Sequence, residues 1–336
     1  MPSRTHLAQN AGVEPRLAGL PLSWVNEIVN KLWECGVAVV PPGLRFQMAS
    51  GSFTSAADSK RQRALPVARA TADMKTFTPD SSIASDVIPS ANYGERDQRP
   101  AARHDRAALY RHARRRRRDR AALHARAPRS RLHYIVLEDG RIVQCVPRAK
   151  RAWHAGVSHW AGEDDINSCS IGIEIINRGH DWGYPDYPRR QIAAVIALCR
   201  GIMLRRKVPS HRVLGHSDVA PSRKKDPGEK FPWHSLANSG VGHWVQPAPI
   251  VRGETLKLGS ISDDVASMQT AFARYGYSIP THGKYDGPTM EVVTAFQRHF
   301  RPERVDGVAD HSTMSTLHAL LASLPEEATA PVVPAK

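Results

Sequence analysis

Apolar and polar positions follow two periods in this chain, and the places where the period changes predict its elements. His133–Leu137 and Arg141–Val146 are β-rich runs split by Glu138-Asp139-Gly140, a hairpin signal. Ser170–Ile176 alternates as a strand, with Ile171, Ile173 and Ile175 on one face and Gly172 and Glu174 on the other. Gln191–Arg205 switches to a helical period, with Ile192, Val195, Ile196, Cys199, Ile202 and Met203 on one stripe. Phe231-Pro232-Trp233 opens a further short helix. Beyond Val245–Pro249 three short helices fit, at 262–275, 287–300 and 310–323. Pro288 suits a helical first turn and Asp310 an N-cap. The pattern is that of an α/β domain followed by a small three-helix C-terminal domain.

Upstream the periods fail. Residues 1–73 sustain none, apart from one short helix at Trp24–Trp33, and the Ser/Ala/Lys/Arg-rich stretch 49–63 reads as disordered. Texture changes at Met74, so residues 1–73 are expected to be a disordered leader or an over-extended start. Residues 103–118, with five consecutive arginines at Arg114–Arg118, show no strand pattern and read as a solvated basic segment. The expected organisation is a leader (1–73), the α/β domain (74–247), the helical domain (248–324) and a disordered tail (325–336).

Charge adds less than it promises. The net charge is +15, but residues 101–132 alone hold twelve arginines against two aspartates. Most of the remainder lies in residues 1–73, so the globular part is near neutral and the high isoelectric point says little about its partner. A nucleic-acid partner is not expected, since neither aromatic interleaving nor a helical motif accompanies the arginine run. The length of 336 residues allows about two domains. No run approaches the ~20 apolar residues of a membrane helix, and no signal-peptide pattern follows Met1 or Met74. Four cysteines without CxxC spacing argue against a zinc ribbon or a disulfide scaffold.

The chemistry concentrates in residues 211–232. Gly215-His216-Ser217-Asp218, then Arg223-Lys224-Lys225-Asp226-Pro227-Gly228, sets two metal-type ligands, His216 and Asp226, at the ends of a polar loop, with Lys224 two residues before the carboxylate. Glu174 is a carboxylate in the middle of an apolar strand, behind a glycine that leaves room. It suits a pocket-facing general base; otherwise it is a glutamate on a solvated sheet face. A lone histidine among sixteen would be a surface or packed residue.

The joint spacing of this loop resembles the zinc site of the N-acetylmuramoyl-L-alanine amidases, the family that includes T7-type lysozymes and peptidoglycan recognition proteins. Ile88-Pro-Ser-Ala-Asn-Tyr-Gly-Glu-Arg96 and Ala152-Trp-His-Ala-Gly156 resemble other segments of that family. Tyr285-Asp-Gly-Pro-Thr289 and Val305-Asp-Gly-Val-Ala-Asp310 resemble the three-helix peptidoglycan-binding module. The resemblance implies the zinc amidase fold, a mixed β-sheet flanked by helices. It implies Zn2+ held by His216 and Asp226, Glu174 activating the attacking water, and Lys224 stabilising the oxyanion. His154 would line the substrate groove, or be structural. The substrate would be peptidoglycan or muropeptides, cut between N-acetylmuramic acid and L-alanine by a monomer. Its compartment would be the periplasm or wall if exported, the cytoplasm otherwise.

One ligand is missing. The family's third is a histidine in a strand reading Val-Leu-His-Tyr-Thr, and its place is taken by the arginine-rich segment. His104, His112, His124 and His133 are substitutes without the motif. Residues 103–113 can be encoded so that a reading one nucleotide later gives Asp-Met-Ile-Val-Leu-His-Tyr-Thr-Gly-Met, so a frame shift would account for the segment. Two further readings follow: a non-catalytic peptidoglycan binder or inactive amidase, and a nucleic-acid protein built on Arg114–Arg118.

Overall fold

The computed structural model describes residues 76–96, 106–112 (backbone only) and 130–325, all within one compact unit, residues 69–336. The expected leader, the helix at Trp24–Trp33, the stretch 49–63, the run Arg114–Arg118 and all but the first residue of the tail 325–336 lie outside the described residues.

A six-stranded mixed sheet carries the site. Its strands are β1 (Asp86–Val87), β3 (Arg106–His112), β4 (Tyr134–Val136), β5 (Ile142–Gln144), β7 (Ser170–Ile176) and β8 (Val213–Gly215), in the order β1-β5-β4-β7-β3-β8. The β4–β5 pair is the antiparallel hairpin around Glu138-Asp139-Gly140; β7 runs parallel to both β4 and β3. β2 (Tyr93–Glu95) and β6 (Lys150–Ala152) form a separate antiparallel ribbon. A one-turn helix, α1 (Ile166–Cys169), leads directly into β7.

The apolar face of β7 and the apolar stripe of α2 (Arg189–Arg206) were separate periodic signals, and they meet. Ile171, Ile173 and Ile175 share a core with Ile192, Val195, Leu198, Cys199 and Ile202. The other face of β7, with Gly172 and Glu174, is turned away from that core and is also buried. Cys145, Cys169 and Cys199 are free thiols.

The segment around Arg106 departs from expectation. It is not a solvated basic stretch but strand β3, paired in parallel with β7 over all seven residues and with β8 over three. The reason lies in its neighbours. Without an intervening strand, the facing backbone groups of β7 and β8 would be buried and unpaired, and tertiary demand of this kind overrides local β-propensity.

Beyond β8 come two short helices, α3 (His216–Val219) and α4 (Trp233–Ala237). Three longer ones follow: α5 (Asp263–Tyr275), α6 (Gly287–Phe300) and α7 (His311–Ala322). Each long helix starts on a side-chain cap. Ser262, Asp286 and Asp310 accept from the backbone N–H of Val265, Thr289 and Thr313. Their apolar faces do not close on themselves alone. Val265, Phe272, Phe296 and Leu317 belong to one core cluster with Trp160, Ile166, Leu214 and Val219 of the sheet-bearing part.

Candidate active site

Sheet order and register bring the chemistry to one edge. β3 lies between β7 and β8, pairing Leu109 with both Ile173 and Gly215. The next residues, Glu174 on β7 and His216 after β8, therefore stand level on either side of β3. Two strand spacings separate their backbones, about 10 Å.

His216 opens α3 and is buried, as is Asp226. The imidazole Nδ1 lies 3.0 Å from Asp226 Oδ2, and Nε2 lies 3.2 Å from the Ala155 carbonyl oxygen. A carbonyl only accepts, so Nε2–H donates to Ala155, and Nδ1 faces the Asp226 carboxylate, where a proton or a cation can bridge them. A ring held by its second nitrogen on a backbone carbonyl is the usual arrangement of a metal-binding histidine. The pair thus fits two donors of a zinc site.

A third donor is not present among the described side chains, which contain no group of three or more His, Cys, Asp or Glu side chains able to hold a metal. The backbone running between Glu174 and His216 is β3, where Tyr110 pairs with Glu174, and Ala108, two residues earlier, pairs with Gly172 and with Leu214. The shifted reading of residues 103–113 puts its histidine at this same position. His112 pairs with Ile176, two residues beyond the level of Glu174, about 7 Å along the strand. His133 is committed elsewhere: Nδ1 accepts from the Gly172 N–H at 3.0 Å, and Nε2 lies 3.0 Å from the Lys150 carbonyl oxygen. Burial, and next the Arg96 charge, lower its pKa to about 3.

Glu174 is 7% exposed, a buried carboxylate and not one on a solvated face. Its charge reaches the Cys145 thiol, whose pKa burial first and Glu174 second push up to about 12. Gly172 beside it is required by close packing: a Cβ there would lie 2.5 Å from the ring of His154. His154 therefore lies across β7 on the Glu174 side, with Nε2 3.3 Å from Ser170 Oγ and its ring edge-on to His133. Burial chiefly, then the charges of His133 and His216, holds it well below the usual histidine range. Lys224 is half-buried, and among the described residues its ammonium makes no hydrogen bond or ion pair.

A model of the N-acetylmuramoyl-L-alanine amidase family matches residues 97–229, and a peptidoglycan-binding domain model matches residues 262–317. The amidase AmiD of Escherichia coli K12 is 39% identical over 189 residues, covering 54% of this chain and 67% of AmiD. The chain belongs to the N-acetylmuramoyl-L-alanine amidase family. A solved complex of E. coli AmiD with anhydro-N-acetylmuramic acid-L-Ala-D-γ-Glu-L-Lys matches with a TM-score of 0.54 and 32% identity, over 69% of this amidase and 97% of that chain. AmpDh3 of Pseudomonas aeruginosa, with an anhydromuramic pentapeptide, matches with a TM-score of 0.52 and 30% identity, over 73% and 97%. The 1,6-anhydro-N-acetylmuramyl-L-alanine amidase AmpD of Citrobacter freundii is 43% identical over 102 residues, 30% of this amidase and about half (52%) of AmpD.

Several residues of the site carried no sequence signal. Arg223 is not merely a solvated neighbour of Lys224. Its guanidinium donates to the Ala155 carbonyl at 2.9 Å and to the Val157 carbonyl, so it holds the same carbonyl that orients His216. Arg96 donates to the carbonyls of Arg148, Ser168 and Ser170, tying β2 and β6 to the start of β7. Each bond joins residues more than fifty positions apart, which no local pattern records.

Proposed function

We propose that this amidase hydrolyses the amide bond between the lactyl group of N-acetylmuramic acid and the L-alanine of the stem peptide, in peptidoglycan or its fragments. The observation that carries the reading is a buried His216–Asp226 pair standing level with a buried Glu174 across one strand. A zinc ion held by His216 and Asp226 with a third donor would polarise the amide carbonyl and acidify water. Glu174 takes the proton from the attacking water and returns it to the leaving amine of alanine, which keeps protons in balance. Lys224 offers its free ammonium to the oxyanion that forms as the carbonyl carbon becomes tetrahedral. His154, neutral and packed over Gly172, lines the groove beside Glu174.

The helical module holds the enzyme on the wall and raises the local substrate concentration. Its compartment is the periplasm or cell wall for intact peptidoglycan, or the cytoplasm for recycled fragments. Among the described residues no helix is long and apolar enough to cross a membrane.

A second reading, a peptidoglycan binder without catalysis, is favoured by the missing third donor among the described side chains. Mass spectrometry separates the two. The full chain, supplied with zinc and anhydro-muramyl tripeptide, is expected to release free peptide beginning with L-alanine. Glu174→Gln should cut the rate on the order of 1,000-fold. No release, with retained binding to sacculi, would establish the binder.

A further inference from the structure

The turn that presents His216 is gripped by the C-terminal helices through Asp218, two residues on. Asp218 is fully buried, and its carboxylate accepts three hydrogen bonds. One comes from its own loop, the Gly215 N–H at 2.6 Å. The other two come from the helical module: His299 Nδ1 of α6 at 2.7 Å, and the Tyr277 hydroxyl, just past α5, at 3.0 Å. His299 is stacked on Trp233 at 3.7 Å and on Phe300 at 3.8 Å, and its Nε2 is buried without a partner. Among the described residues its single polar contact is therefore Asp218. Nearby, Trp160 packs edge-on against Tyr275 and Tyr277, and the Ala161 N–H donates to the Gly276 carbonyl at 2.8 Å.

A module that served only as a tether would meet the catalytic part through a solvated, replaceable surface. Here it shares a core with it and spends two buried donors on one carboxylate of the His216 turn. The geometry points to a positioning role. His299 and Tyr277, acting through Asp218, fix α3 so that His216 Nδ1 faces Asp226. This inference rests on the proposed metal role of His216. It adds that the peptidoglycan-binding module is part of the catalytic architecture, even for soluble substrates that need no tether.

The test uses full-length His299→Phe and Tyr277→Phe, singly and together. Phenylalanine keeps the ring stacking and removes only the donors. Hydrogen exchange at the Gly215, Ser217 and Ala220 amides should speed up at least tenfold in the double variant, with β7 amides unchanged. Zinc affinity, measured by competition with a chromogenic chelator, should fall about 10-fold or more. His299→Gln, which retains an N–H donor, should recover part of both effects. Unchanged exchange at residues 215–220, or exchange raised evenly through both modules, would overturn the proposal. If the unaltered chain binds no zinc, the metal reading of His216 fails, and the exchange data still decide the positioning role.

Discussion

Strands β7 and β3 lie side by side over seven residue pairs, yet they are made of different material. β7 reads Ser-Ile-Gly-Ile-Glu-Ile-Ile, with one face for the core and one for chemistry. β3 reads Arg-Ala-Ala-Leu-Tyr-Arg-His, with neither face marked. The difference teaches that a strand can be specified from within or from its flanks. β7 is fixed by burial of Ile171, Ile173 and Ile175, and would seek this environment in any sheet. β3 is fixed because β7 and β8 both present backbone groups that must be paired. Such a strand completes the ladder without an alternation of its own to mark a core face.

Substitutions should therefore hurt on β7 and be tolerated or helpful on β3. The largest stability effect is expected for Gly172→Ala. Its Cβ would meet the base of the His154 ring, which cannot swing aside cheaply, so unfolding titrations should show a loss of up to about 3 kcal/mol. A loss under 0.5 kcal/mol would mean that His154 is not packed on β7.

Acid should come next. His133, held neutral against the Gly172 amide, has a folded pKa near 3 against about 6.5 unfolded. Below pH 6.5 the unfolded chain takes up a proton that the folded one refuses, so stability falls as pH drops from 6.5 toward 3. The cost at pH 5 is about 2 kcal/mol from His133 alone. His154, lowered in the same direction, adds to it. Equal or greater stability at pH 5 than at pH 7 would contradict the buried-histidine account. The smallest effect is expected on β3. Arg111→Val, at the register position beside Ile175, should gain about 1 kcal/mol. A loss there would place residue 111 outside the sheet.

The same contrast explains what the amino-acid order revealed. α2 and the three C-terminal helices were legible from their apolar period, sharpened by Pro288 in a first turn and Asp310 as an N-cap. The His216–Asp226 contact was legible because the two side chains stand ten positions apart at the ends of one loop. The burial of Glu174 was legible because it stands in the middle of an apolar strand, behind a glycine. β3 was not, because its reasons lie in β7 and β8. Nor was the grip of His299 and Tyr277 on Asp218, which joins residues 81 and 59 positions apart through side chains that look like ordinary helix and loop residues.

We propose that His216 and Asp226 are two zinc donors on one loop and that a third donor belongs at position 108 of β3. A zinc titration of Ala108→His beside the unaltered full chain tests it most directly. The substitution should raise zinc affinity on the order of 100-fold, and His216→Ala in the same background should abolish the gain. Equal affinity in the unaltered and Ala108→His chains would show that position 108 is not where the site is incomplete.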